Sequence, residues 1–175
     1  MALGAIVALG STSDPLPNLS ANREDITVSG NSAGGKFSCH LMWTASDTWK
    51  GAGCNKSGIF DVGVREGREH TEEMVVESID KLLDLDDDEL IDPLENLSSG
   101  KRAVIIISSS NDRTVPPTSQ LSQFRTFVEL GMNGDEGDPN QRLKLYSDDE
   151  GHNFRYEYSK EILDFLWDKL DYGVL

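Results

Sequence analysis

The chain has 175 residues, 31 acidic against 16 basic side chains, a net charge of −15 and 37% apolar residues. That length and composition suit one soluble globular domain with its own core, and no apolar run reaches the roughly 18 residues of a membrane-crossing helix. The charge repels nucleic acid phosphates and anionic lipid surfaces, so neither nucleic acid nor membrane is an expected partner; otherwise the acidity reads as a solubility device.

Residues 1–22 read as an apolar and linker segment ahead of a domain spanning 23–175. The stretch from Met1 to Ser13 has roughly the shape of a secretory signal but lacks a positive start, the first basic residue being Arg23. It is either a signal remnant or the leftover of a longer apolar segment. Ile26 to Ser29 is β-prone and ends in the turn Gly30-Asn31. Helical spacing then covers Ala33 to Thr48, with Phe37, Leu41 and Met42 on one face. A short strand follows from Trp49 to Asn55, then a Gly-rich loop over 56–68 and a helical pattern from Glu72 to Leu85. The acidic run over 84–89 lacks the ligand order of a calcium loop and reads as solvated surface.

Ala103-Val104-Ile105-Ile106-Ile107 is continuously apolar and β-branched, as a strand buried on both faces should be. A helix is expected from Thr118 to Leu130, a loop over 131–140, an alternating strand from Arg142 to Tyr146, and a last helix from Lys160 to Leu170 with Ile162, Leu163, Phe165, Leu166 and Leu170 as its apolar set. Strands alternating with helices predict an α/β domain with a mainly parallel sheet. Cys39 falls on the first helix and Cys54 at the end of the second strand, without zinc-type spacing. Each reads as a small buried hydrophobe, and a disulfide between them stays open.

Gly30-Asn31-Ser32-Ala33-Gly34 matches G-x-S-x-G. This pattern places a serine on a strained strand-to-helix turn with Oγ exposed, and small residues are needed because flanking Cβ atoms would clash. The match alone is weak, but it follows a strand signal and opens a helix, whose free N–H groups favour a developing oxyanion. The Ala33 N–H is one such donor. Asp112 follows the apolar strand and His152 follows the next one, in the order Ser, Asp, His. Ser32, Asp112 and His152 are therefore the expected nucleophile, acid and base. His40 lies two turns along the helix, about 12 Å from Ser32 by helical rise, and His70 has no strand before it; both read as ordinary histidines. Residues 30–36 also fit a phosphate-loop pattern, but Phe37 stands where Ser or Thr must hold magnesium. No cofactor and no metal is expected.

Three blocks resemble the polyhydroxybutyrate depolymerases and related secreted serine esterases. They are ITVSGNSAGGKFSCHLMWTASDTWKGAG from Ile26, IDPLENLSSGKRAVIIISSSNDRTVPP from Ile91 to Pro117, and Asp149-Glu150-Gly151-His152-Asn153-Phe154. The resemblance implies an α/β-hydrolase fold, in some members circularly permuted, together with secretion to the extracellular space and metal-free hydrolysis of short-side-chain polyesters or their oligomers. It implies the same roles for Ser32, Asp112 and His152. The stretch from Val64 to Leu90 departs from the family pattern. Members also carry more sequence, including the second oxyanion donor, so the expected fold is reduced or incomplete, with a partner chain or further segment completing it. The expected function is a serine ester hydrolase acting on a polyester or small ester substrate. The alternatives are a carboxylesterase or feruloyl-type esterase with the same triad, and a non-catalytic truncated remnant.

Overall fold

The computed structural model describes residues 26–44, 46, 48–58 and 97–170. Its elements are β1 (Ile26–Asn31), α1 (Ala33–Thr44), β2 (Trp49–Asn55), β3 (Ala103–Ser109), α2 (Pro117–Glu129), β4 (Leu143–Asp148) and α3 (Tyr156–Lys169). The four strands pair in the order β1-β2-β3-β4, all parallel, as the alternation of strand and helix signals requires. Residues 1–22, most of the Gly-rich loop over 56–68, His70, the helix expected from Glu72 to Leu85 and the acidic run over 84–89 lie outside the described residues.

The sheet separates two cores because side chains alternate along each strand. Val104 and Ile106 of β3 face α1 and α2, meeting Cys39, Met42 and Phe127. Ala103, Ile105 and Ile107 face α3, meeting Tyr158, Ile162, Phe165 and Leu166. All five residues from Ala103 to Ile107 are fully buried, which explains their unbroken apolar character. Each buried Ile or Leu contributes about 1.5–3 kcal/mol relative to exposure.

Several boundaries differ from expectation. α1 stops at Thr44 rather than Thr48, since Ser46 has turned so that its carbonyl accepts from Arg102 Nε. β3 and β4 run two residues further, because Ser108 and Ser109 stay in register with Ser147 and Asp148. α3 starts at Tyr156 rather than Lys160; Tyr158, which its extra turn carries, is buried against β3. Two side chains of the expected apolar faces point out. Phe37 is 49% and Leu163 65% exposed, because the buried arc of α1 is Gly35, Ser38, Cys39 and Met42, and that of α3 is Tyr158, Ile162, Phe165 and Leu166. Cys39 and Cys54 are both buried but not free: they form a disulfide that ties α1 to β2.

Candidate functional site

Three of the expected residues follow the C-terminal ends of parallel strands: Ser32 after β1, Asp112 after β3 and His152 after β4. This edge is where parallel α/β sheets hold ligands. Ser32 occupies the left-handed region with φ 53°, a conformation that costs a non-glycine residue about 1–2 kcal/mol. Neighbouring backbone holds it there. The Ser32 N–H donates to the Asn55 carbonyl at 2.8 Å, and the Ser32 carbonyl accepts from the Lys36 N–H at 3.0 Å, opening α1. A Cβ on Gly30 would lie 2.3 Å from the Gly34 carbonyl carbon, and one on Gly35 2.9 Å from the Asn55 nitrogen. At Gly34 itself a Cβ would meet nothing within 4 Å, so the crowded flanking positions are Gly30 and Gly35. Ala33 is the first residue of α1 and exposed; N–H groups of a first helical turn have no partner within the helix. Asn31 ends β1, opposite Asn55.

Asp112 is buried, its side chain wholly so. Its Oδ1 accepts from the Thr114 and Val115 N–H groups, both at 2.9 Å, an Asx-type turn that leads into Pro116-Pro117 and the start of α2. Its Oδ2 accepts from Gln120 Nε2 at 2.8 Å and meets His152 Nδ1 at 2.7 Å. Against an ionised carboxylate, which only accepts, Nδ1 is the donor, and in a neutral ring Nε2 is then the acceptor. His152 keeps a fifth of its side chain open to solvent. The structure therefore joins Asp112 to His152 directly and sets Ser32 on the same sheet edge.

Sequence patterns did not point to Gln120. It is fully buried, and besides Asp112 its Nε2 reaches the Val115 carbonyl while its Oε1 accepts from the Ser109 N–H, both at 2.8 Å. The only trace in the sequence is a helix whose inward face is polar: Ser119, Gln120, Ser122, Gln123 and Thr126 are all buried. His40 is remote from this arrangement in role: burial, with Lys36 adding, holds its imidazole below the ordinary value. Among the described residues no group of His, Cys, Asp and Glu is arranged to hold a metal ion. A cavity between α2, α3 and the open side of β4, lined by Phe124, Lys144, Leu145, Glu161 and Phe165 among others, includes none of the three residues.

A family model described as the prolyl oligopeptidase family matches residues 18–172. The chain matches no curated protein sequence at a significant level. Among solved structures it is similar to a PHB depolymerase from Penicillium funiculosum, with a TM-score of 0.61 and 18% identity, covering 77% of this chain and 41% of that one. An acylaminoacyl peptidase in complex with Z-Gly-Gly-Phe-chloromethyl ketone gives a TM-score of 0.54 at 19% identity, covering 88% and 26%. A Bacillus cereus carboxylesterase gives 0.50 at 14% identity, covering 84% and 51%. These likenesses establish the α/β-hydrolase fold. The chain spans between a quarter and about half of the length of these structures.

Proposed function

Since this chain belongs to the prolyl oligopeptidase family, a family of serine hydrolases, we propose that it hydrolyses carboxylic esters with Ser32 as nucleophile, His152 as general base and Asp112 as the group that orients the base. The observation that carries this reading is the 2.7 Å contact between Asp112 Oδ2 and His152 Nδ1, on the same sheet edge as a serine with φ 53°. In the reaction Ser32 Oγ attacks the ester carbonyl carbon and its proton passes to His152 Nε2. The carbonyl π electrons move to the oxygen, and the Ala33 N–H stabilises the resulting oxyanion. Collapse of the intermediate breaks the bond to the alcohol, which leaves with the proton from His152. Water, deprotonated by the same ring, then attacks the acyl-enzyme, releases the acid and restores Ser32.

The substrate class follows from two supports. The fold is shared with two PHB depolymerase structures, one of them complexed with an R3HB trimer. Phe154 and Tyr156, 60% and 79% exposed next to His152 in sequence, offer apolar surface to a short acyl ester. We assign short hydroxyalkanoate oligomers or polyesters as substrates, with extracellular location supported by the Cys39–Cys54 disulfide, a bond that persists in oxidising compartments. The family match favours one second reading, cleavage of peptides.

The deciding experiment compares p-nitrophenyl butyrate, a 3-hydroxybutyrate trimer and a peptidyl anilide, with a serine-directed phosphonate as active-site label. The two esters should turn over and the anilide should not. Ser32→Ala should stay folded, lose turnover and take up no label. Turnover of the anilide alone would replace the ester reading by the peptidase one, and labelling that survives in Ser32→Ala would remove Ser32 as nucleophile.

A further inference from the structure

Lys56 follows β2 directly, and nothing in the reaction described above uses it. Its side chain is fully buried and belongs to neither apolar core. Its backbone has φ 46°, in the left-handed region that disfavours a side-chain-bearing residue. Its N–H donates to the Ile107 carbonyl at 2.8 Å, which fixes where the side chain begins. From there the ammonium passes over the end of β3 to the β4–α3 connection. It donates to the Gly151 carbonyl at 2.5 Å and to the Tyr158 hydroxyl at 2.9 Å, and it lies 3.5 Å from Asp148 Oδ2. Of the three donors of an ammonium, two are used in these hydrogen bonds, and the Asp148 carboxylate faces the charge as an ion pair. The Tyr158 ring also lies beneath it, 4.4 Å from centroid to Nζ.

We propose that Lys56 is a positioning residue for His152, gripping the peptide that carries the imidazole so that the ring stays aligned on Asp112. The inference rests on the serine hydrolase reading given above. The Gly151 carbonyl belongs to the same planar peptide as the His152 N–H, so holding that oxygen fixes the plane from which the imidazole projects. Gly151 has φ 73° and no Cβ to limit its rotation, which makes an external hold necessary. Within this connection Asn153 Nδ2 donates to the Glu150 carbonyl and Arg155 pairs with Glu150, but neither touches the Gly151 carbonyl, and the ties from β3 and the residues after it act earlier. Ser110 Oγ donates to the Asp148 carbonyl, Asn111 Nδ2 to the Asp149 carbonyl, and the Gly151 N–H donates to Ser109 Oγ. They set the course of the chain up to the Gly151 nitrogen and leave its carbonyl to Lys56. Withdrawing a cation wholly from water is costly, and an apolar residue of equal volume would fill the space at lower cost. A charged residue in a strained backbone conformation is therefore explained by what its ammonium holds.

The test uses the full chain and the variant Lys56→Met, which keeps volume and removes the donors. The readouts are the proton NMR signal of the His152 Nδ1–H, identified by its loss in His152→Ala, and turnover of p-nitrophenyl butyrate. The wild-type signal should be sharp and slowly exchanging, and in Lys56→Met it should broaden beyond detection. kcat should fall about 100-fold, as expected for a base moved off line, with KM changed by less than about twofold. Where Lys56→Met fails to fold, Tyr158→Phe keeps the ring, removes one acceptor of the ammonium, and should broaden the same signal. An unchanged signal in the folded variant, or its absence from the wild type, overturns the proposal. Because the signal is read without turnover, an inactive wild-type chain refutes the hydrolase reading separately, and the NMR result still decides the role of Lys56.

Discussion

At the scale of single residues, the carboxylate of Asp112 is the most constrained group of the site, since four hydrogen bonds converge on its two oxygens. Such saturation leaves the Asp112–His152 contact one geometry. Gln120 extends it, linking the carboxylate to the end of β3 through the Ser109 N–H. Replacing Gln120 by Leu strands the Ser109 N–H and the Val115 carbonyl in a fully buried setting. Each unpaired buried group costs about 1–3 kcal/mol, so Gln120→Leu should lower unfolding stability by about 3 kcal/mol in urea titration. It should also lower kcat, because Asp112 is then free to tilt away from His152. A variant of wild-type stability would show that water replaces the amide without loss.

At the scale of elements, the turn between β1 and α1 sets Ser32 in place, and its glycines are not equivalent. A Cβ at Gly30 runs into the Gly34 backbone, which no rotamer change relieves, whereas a Cβ at Gly34 has open space. Gly30→Ala should therefore destabilise by about 3 kcal/mol, as overpacking against backbone does. Gly34→Ala, in the first turn of a helix, should be neutral or stabilise by up to about 1 kcal/mol. Equal effects in thermal unfolding would contradict the crowding argument. The Cys39–Cys54 bridge binds α1 to β2 across a sequence separation of 15. Closing a loop of that length restricts the unfolded chain by about 3 kcal/mol, so reduction by dithiothreitol should lower stability by about that much, and no change would show that the bridge adds nothing. The elements legible in the sequence are those with local causes. β3 announces itself because both of its faces are buried, and β2 because Trp49 to Asn55 is bounded by turns. Helix faces were less legible: Phe37 and Leu163 fit an apolar period yet face solvent, since the partner surface, not the period, decides which arc is covered. The placement of Ser32, Asp112 and His152 at the C-terminal ends of three strands was legible because each follows a strand in a recognisable turn. Lys56 and Gln120 were not, because a buried lysine and a buried glutamine acquire their meaning from residues 95 and 8 positions away respectively.

At the scale of the whole molecule, four parallel strands carry all three proposed chemical groups on one edge, and that edge is also where the sheet is tied across its width. Asp148, the last residue of β4, faces Lys56, the residue after β2, with β3 between the two strands. Burial pushes the Asp148 carboxyl up, but the Tyr158 hydroxyl, the Glu150 N–H, Ser109 and the charge of Lys56 together hold it below its ordinary value of 3.8. The unfolded chain therefore takes up this proton at a higher pH than the folded one. Stability from the tie is complete above the unfolded value and is lost as the pH falls through the lower folded value. Asp138 is held down in the same direction, first by the Asn140 N–H and then by Asn133, but it is exposed, so solvent screens its contribution. Asp148 should thus dominate the acid loss between these two. Urea unfolding followed from about pH 7 to about pH 2.5 should show wild-type stability falling below about pH 4. Asp148→Asn should be less stable at neutral pH and flatter through that acid window. Parallel acid limbs for the two proteins would place the acid sensitivity elsewhere in the chain.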